Sequence, residues 1–397
     1  MIHSAPTTPF PVLASPRARS LRSLQLGMGW APSAGNGLDR MFSGLARHLP
    51  DTGIQVTGWA TGQDQEDTST DGIHMFSRPS APLARRLWAV RNAIQSTEAL
   101  KTTDLVASHF ALYTAPLLDL IEDKPLVVHF HGPWAMESAI EGASSLNVRL
   151  KHWLEQQVYR RGDRFIVLSN AFRDVLAREY FVDPSRIDVV PGGVDVERFK
   201  PVSSRATARQ AFGLCPHRPI VVCVRRLVTR VGLFSLLDAV DQLRQHEPDL
   251  LVLVAGRGPL AGPLNTAIEE RGLSRHVHLL GFVPDADLPS LYRAADVSIV
   301  PSTHWEGFGL VAAESLAAGT PALVTPIGGL PEVVSPLSDA LVLEDKTPTA
   351  VAQGLREALR GTRPLPDSED CYRYARDRFA WPVIADQVHT IYTKACS

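Results

Sequence analysis

Cysteine is scarce. Cys215, Cys223, Cys371 and Cys396 are the only four in 397 residues, and no two form a Cys-x-x-Cys pair. That argues against a disulfide framework or a structural zinc site and suits a reducing compartment. Long apolar runs are missing too: none reaches the roughly 18 residues that a membrane span needs, so a cytoplasmic chain is expected. No sign of charge dominates, since 40 Lys and Arg stand against 42 Asp and Glu for a formal net charge of -2. A chain so balanced has no global pull toward nucleic acid. Met1–Ser20 does not read as a secretory leader, because it holds Pro6, Pro9, Pro11 and Pro16 but no apolar h-region. The prolines also oppose the amphipathic helix of an organelle transit peptide, so 1–20 reads as a disordered tail.

What remains is ordinary globular composition, 45% hydrophobic and 21% charged, at a length that favours two domains or more. Short β-branched runs recur, among them Ile54–Ala60, Leu105–His109, Leu126–Phe130 and Phe165–Leu168, then Pro219–Val224, Leu250–Ala255, Val277–Leu280, Val297–Val300 and Pro321–Val324. Helical patterns follow nearly all of them. Apolar strands alternating with helices predict parallel sheets covered on both faces. The alternation breaks once, where Val189-Val190-Pro191-Gly192-Gly193-Val194-Asp195 leads to Pro201 without helical period. A hinge there gives an α/β protein of two doubly wound, Rossmann-like domains, 21–195 and 196–375, facing each other across a cleft lined by strand carboxyl ends. A last helical pattern, Val383–Tyr392, follows Trp381-Pro382.

The most informative stretch runs from Val297 to Glu314. A buried strand is followed by Ser302-Thr303-His304-Trp305-Glu306-Gly307-Phe308-Gly309, then by a helix opening at Leu310. A glycine loop feeding a helix N-terminus leaves main-chain N–H groups unpaired, and with the helix dipole they make an anion site. Phe308, Gly309 and Leu310 would supply those groups. Gly307 and Gly309 would allow close backbone approach or positive φ. Glu314, one turn inside, leans toward the same place because helical side chains tilt to the N-terminus. Phosphate donors flanked by two carboxylates suit a nucleotide sugar.

Glu306 and Glu314 are also the two glutamates of an E-x7-E motif. Val190–Asp195, Ala255-Gly256-Arg257-Gly258-Pro259-Leu260, Gly281-Phe282-Val283-Pro284, Leu291–Asp296 and Gly328-Gly329-Leu330-Pro331-Glu332 accompany it in order. Together these motifs resemble the family 4 retaining glycosyltransferases of the GT-B fold, densely from about Phe165 to Pro336 and more weakly before. The resemblance implies a nucleotide-diphosphate sugar donor, such as a UDP- or GDP-sugar, held mainly by the C-terminal domain through Gly256, Phe282, Val283 and the residues of the E-x7-E segment. It implies a hydroxyl acceptor, glycan, lipid or small molecule, gripped by the N-terminal domain. It further implies no metal or other cofactor, and a last helix, within 376–397, that crosses back to the first domain. The one Asp-x-Asp, Asp285-Ala286-Asp287, stands just after Pro284, where helix capping is its expected use.

Arg225 and Arg226 close the strand Ile220–Val224, where an arginine can bind diphosphate bidentately. Arg226 matches the family's phosphate arginine. The family's lysine five residues later is Val231 here, so Arg225 or Arg230 would have to supply the second cation. His131 lies just past the strand Leu126–Phe130, at the cleft; the family carries a histidine near the transferred sugar there, whereas His129 reads as a core histidine. Trp134 either stacks on a sugar or plugs the loop. Gly35 and Gly37, in Gly35-Asn36-Gly37-Leu38-Asp39-Arg40, fit the family's mobile first loop near the reaction centre. Arg85, Arg86 and Arg91 share the helix 83–94 with Leu87, Trp88 and Val90: an ordinary core-packing helix, or a weak peripheral contact with the inner face of a membrane. A sugar-nucleotide epimerase of the same fold, a glycosidase using both glutamates, and a catalytically silent nucleotide-sugar binder stay open as alternatives.

Overall fold

The computed structural model describes residues 20–30, 37–62 and 72–397. The expected tail, apart from Ser20, and Gly35 lie outside the described residues. Seven strands form a first sheet: β1 (Arg22–Gly29), β2 (Gln55–Thr61), β3 (Ile73–Ser77), β4 (Leu105–Ser108), β5 (Leu126–Phe130), β6 (Arg164–Val167) and β7 (Ile187–Val189). Five form a second: β8 (Ile220–Val224), β9 (Leu251–Ala255), β10 (Val277–Gly281), β11 (Val297–Val300) and β12 (Ala322–Val324). The orders are β3-β2-β1-β4-β5-β6-β7 and β10-β9-β8-β11-β12, with every pairing parallel. Both sheets thus reverse direction of winding once, beside β1 and β4 in the first and beside β8 and β11 in the second. Chain segments leave such a point on opposite sides and open a crevice at the strand carboxyl ends.

The central strands are apolar throughout because helices cover both faces. All five residues of β5 and of β9 are buried. β3 is absent from the apolar runs picked out in the sequence, since only Ile73 of its five residues is buried and it stands at the sheet edge.

The chain passes between the sheets through Pro191-Gly192-Gly193-Val194. Neither glycine has room for a side chain. A Cβ on Gly192 would fall 2.7 Å from Leu310 Cδ2, and one on Gly193 would fall 2.5 Å from Trp381 Cε3. Val194 then pairs with Ala380, and its N–H donates to Phe379 O at 2.7 Å. From there the last helix, Trp381–Ala395, runs along the first sheet. Trp381, Ile384, Val388, Ile391 and Tyr392 join Met41, Leu45, Leu49, Val127 and Ile166 in one apolar cluster. Gly44, inside the helix Gly37–His48, is explained by the same contact, because a Cβ there would overlap the Trp381 ring.

The helix Leu83–Gln95 turns Val90 and Ile94 into the core. Arg86 donates to Tyr113 OH at 2.7 Å, and Arg91 grips Asp119. Trp88 stands 68% exposed. Among the described residues no helix is long and apolar enough to cross a membrane.

Candidate active site

A cleft of about 1040 Å³ lies between the sheets, lined by the carboxyl ends of β4, β5, β8 and β9 and by the loop after β11. The helix Leu310–Ala317 opens onto it. Gly309 caps that helix at φ 86°, a left-handed conformation that side-chain-bearing residues enter at a cost of about 1–3 kcal/mol. The N–H groups of Phe308, Gly309 and Leu310 have no acceptor among the described residues. Those three residues and Gly307 line the cleft. Gly37 stands over the same cap, where a Cβ would lie 3.6 Å from Leu310 Cδ1.

Glu306 arrives from the loop after β11 and meets Arg225 from the end of β8, so this pair bridges the reversal point of the second sheet. Glu306 Oε2 takes the Arg225 guanidinium and the Ser302 hydroxyl at 3.1 Å, with Arg230 3.9 Å away. Burial opposes charge on Glu306, but Arg225 and Arg230 outweigh it and hold the carboxyl below the usual range. Its Oε1 carries none of these bonds. Trp305, just before it, adopts φ 33°, and its carbonyl accepts from Arg230 at 3.0 Å. Gly256, at φ 147°, has no space for a Cβ against the Arg225 carbonyl.

Arg226 is different: it is solvent-exposed at the cleft wall with no hydrogen-bond or ion partner among the described residues. Partial desolvation between the walls, then the Arg230 and Arg225 charges, lower its pKa. An anion arriving there would relieve that repulsion. Val231, at the family's lysine position, is 1% exposed and packed with Leu227, Leu233 and Leu236. The second and third cations at this end are therefore Arg225 and Arg230. Phe282 and Val283 line the cleft nearby, and Arg257 lies over the Phe282 ring at 4.8 Å.

Glu314 reaches the cleft as its helical tilt predicts, but it is not solitary. Arg40, from the first domain, donates to Oε1 at 2.6 Å, and Tyr292 OH donates to Oε2 at 3.3 Å. Burial raises the Glu314 pKa against the opposing pull of Arg40. The other Arg40 amino group binds Asp285 at 2.7 Å, and Arg198 meets the second Asp285 oxygen at 3.3 Å. The capping role expected of Asp285-Ala286-Asp287 is therefore wrong. Asp287 begins the helix Leu288–Ala294 with no side-chain cap bond, and Asp285 is spent on two arginines. Glu332 makes a further bond between domains, accepting from the N–H groups of Asn170 and Ala171 at 2.8 Å each.

On the first-domain side His131 joins a stack with His109 and His129. Gln25 Oε1 sits 2.8 Å from His109 Nε2, and His109 Nδ1 sits 3.2 Å from His131 Nε2. An amide oxygen only accepts, so His109 carries its proton on Nε2, His131 donates from Nε2, and His131 Nδ1 is left bare. Tyr392 OH, from the last helix, accepts from Gln25 at 3.2 Å and lies 2.7 Å from His129 Nε2. Burial lowers the pKa of all three, that of His131 to about 4, so they are neutral at pH 7. Trp134 lines the cleft, meets Phe110 edge to face at 5.1 Å between ring centres, and has Lys151 over its ring at 4.6 Å.

All sequence-derived candidates within the described residues thus surround one cleft. Sequence reasoning passed over Arg40, Glu137, Gln25, His109 and Tyr292. The available hint was position: Arg40 ends the first-loop motif, and Glu137 falls one turn after Trp134.

Two Rossmann-like domains with parallel sheets, meeting at a cleft onto which the Gly309-capped helix opens, form the architecture of GT-B glycosyltransferases, and sequence comparison agrees. A model described as Glycosyltransferase Family 4 matches residues 35–198, and one described as Glycosyl transferases group 1 matches 204–378. The chain belongs to the family 4 glycosyltransferases, with the GT-B fold. It is 33% identical over 374 residues to a D-inositol 3-phosphate glycosyltransferase of Saccharomonospora viridis, covering 86% of this chain and 85% of that protein. The Corynebacterium glutamicum protein of the same name is 33% identical over 306 residues, covering 74% and 73%. Among solved structures, sucrose-phosphate synthase from Thermosynechococcus elongatus superposes with TM-score 0.80 at 21% identity, covering 94% of this chain and 98% of that one. Anabaena HepE in complex with UDP-glucose gives 0.76 at 20% identity, covering 94% and 100%.

Proposed function

We propose that this glycosyltransferase moves a sugar from a nucleotide-diphosphate sugar, a UDP-sugar first among candidates, to a hydroxyl acceptor with retention and without a metal. The observation that carries the reading is the set of unpaired N–H groups of Phe308, Gly309 and Leu310 in the same cleft as Arg226, a cation lacking a partner among the described residues. Donor phosphates would lie against that cap. Arg225 and Arg230 add positive charge behind Glu306, which leaves Oε1 for a donor-sugar hydroxyl. Glu314 keeps acceptor capacity for ribose hydroxyls, because a carboxylate has about four lone-pair sites and two are used. Metal independence is supported by chemistry: the second-domain carboxylates lining the cleft, Asp285, Glu306 and Glu314, are already bound to arginines, while amides and Arg226 can neutralise a leaving diphosphate.

In the reaction the bond from the anomeric carbon to the β-phosphate oxygen breaks, and its electron pair goes to the phosphate. The acceptor oxygen bonds the same face of that carbon and passes its proton to the departing phosphate oxygen. Arg226 and the cap amides stabilise the charge that builds there. His131, neutral and oriented through His109, flanks the transferred sugar.

UDP and UDP-sugars are expected to raise the thermal midpoint, since a ligand that binds only the native state stabilises it. Arg226→Ala and Glu314→Ala should each lower transfer by about 10²-fold or more while the fold persists. Product anomeric configuration, read by NMR, should match the donor, and chelator should not abolish turnover. Full activity in both variants would overturn the site assignment.

A further inference from the structure

The wall facing the donor end is the helix Trp134–Ile140, and its central ionisable group is Glu137. Glu137 has no hydrogen-bond or ion partner among the described residues. Its carboxylate rests on the turn after His131, for a Cβ on Gly132 would lie 2.8 Å from Oε1. Across the cleft it faces Arg230, Arg226 and Glu306. Glu141, one turn on, is occupied instead: it accepts from the N–H groups of Thr229 and Arg230, at 3.3 and 3.4 Å, and closes the gap between domains.

The cations are placed the other way round. Arg225, Arg226, Arg230 and Arg257 all belong to the second domain. Arg40 is the first domain's arginine in the cleft lining, and Glu314 and Asp285 hold it. Lys151, behind Trp134, donates to Ser138 Oγ at 2.7 Å. The segments 31–36 and 63–71 contain no Lys or Arg. A phosphate on the acceptor would meet Glu137 with no free first-domain cation among the lining residues. Hydroxyls, by contrast, supply the donors that a half-buried carboxylate lacks. Burial, with the Glu306 charge, holds the Glu137 pKa above the usual range against the pull of Arg230 and Arg226.

Building on the proposed transfer reaction, we infer that Glu137 reads the acceptor and that the acceptor is a polyol carrying no phosphate, unlike the phosphorylated one in the relatives' names. The test uses the full chain, a donor nucleotide sugar that stabilises it, and paired acceptors: myo-inositol and its monophosphate, glucose and glucose 6-phosphate. Nucleoside diphosphate release is the readout. At least one unphosphorylated member should stimulate release about tenfold more than its phosphate ester. Glu137→Gln should lower kcat/KM for that acceptor about tenfold with nucleoside diphosphate binding unchanged, and Glu137→Lys should move preference toward the ester. Preference for the esters in the parent protein, silence from every unphosphorylated member, or an unmoved preference in both variants would overturn the inference. Failure of any nucleotide sugar to stabilise the parent would sink the transfer reading along with it, and the thermal shift separates the two failures.

Discussion

Replacing Glu155 by Gln should change how stability depends on pH. Glu155 is 1% exposed in the helix Ser145–Arg161 and holds the start of the helix that carries Glu137. It accepts from Trp134 N at 2.9 Å, Ala135 N at 3.3 Å and Tyr180 OH at 2.8 Å. Burial dominates and pushes its pKa up to about 7, although all three donors favour the ionised form. The folded protein therefore holds this proton more tightly than the unfolded chain, whose glutamates titrate near 4.5. Its contribution is fully present below about 4.5 and is lost as pH rises through about 7. At 1.36 kcal/mol per pH unit the difference amounts to about 3 kcal/mol. For a domain of this size that is roughly 6–12 °C in thermal midpoint. Melting both proteins from pH 4.5 to 8 isolates the effect, because every other titration cancels in the difference. The parent should lose stability relative to Glu155→Gln across that window. Parallel profiles would refute the reasoning.

Gly309→Ala should cost about 1–3 kcal/mol from positive φ alone, and its Cβ would fall 2.4 Å from Leu330 Cδ2. Calorimetry should find nucleoside diphosphate affinity down at least tenfold, whereas Gly361→Ala, at φ 69° with nothing within 4 Å, should leave affinity alone. Tyr392→Phe strips a hydroxyl from His129 and Gln25 in the interior, at about 1–3 kcal/mol by denaturant titration. Because Gln25 fixes His109 and so His131, kcat should fall while nucleoside diphosphate binding holds.

The alternation of apolar runs and helices was legible because both faces of each sheet are covered, which leaves short β-branched strands in plain view. The cap at Gly309 was legible for a local reason: strand, glycine loop and helix are consecutive in sequence. Arg40 was not, since its partners Asp285 and Glu314 lie 245 and 274 residues away and nothing local separates it from a solvated helix charge. The tie from Gln25 to Tyr392 spans 367 residues. Asp285 was misread because an aspartate before a helix has a common local use that distant arginines overrode. Val231 looked like a lost cation. In place it is a core residue, and charge enters from Arg230 beside it.

The crossing of the last helix bears on how the chain is made. Met41, Leu45, Val127 and Ile166 emerge from the ribosome long before Trp381, Ile384 and Tyr392, which cover them. Until the helix Trp381–Ala395 appears, the nascent first domain presents an open apolar trough and His129 lacks its tyrosine. The amino-terminal half, though translated first, is the half that finishes last.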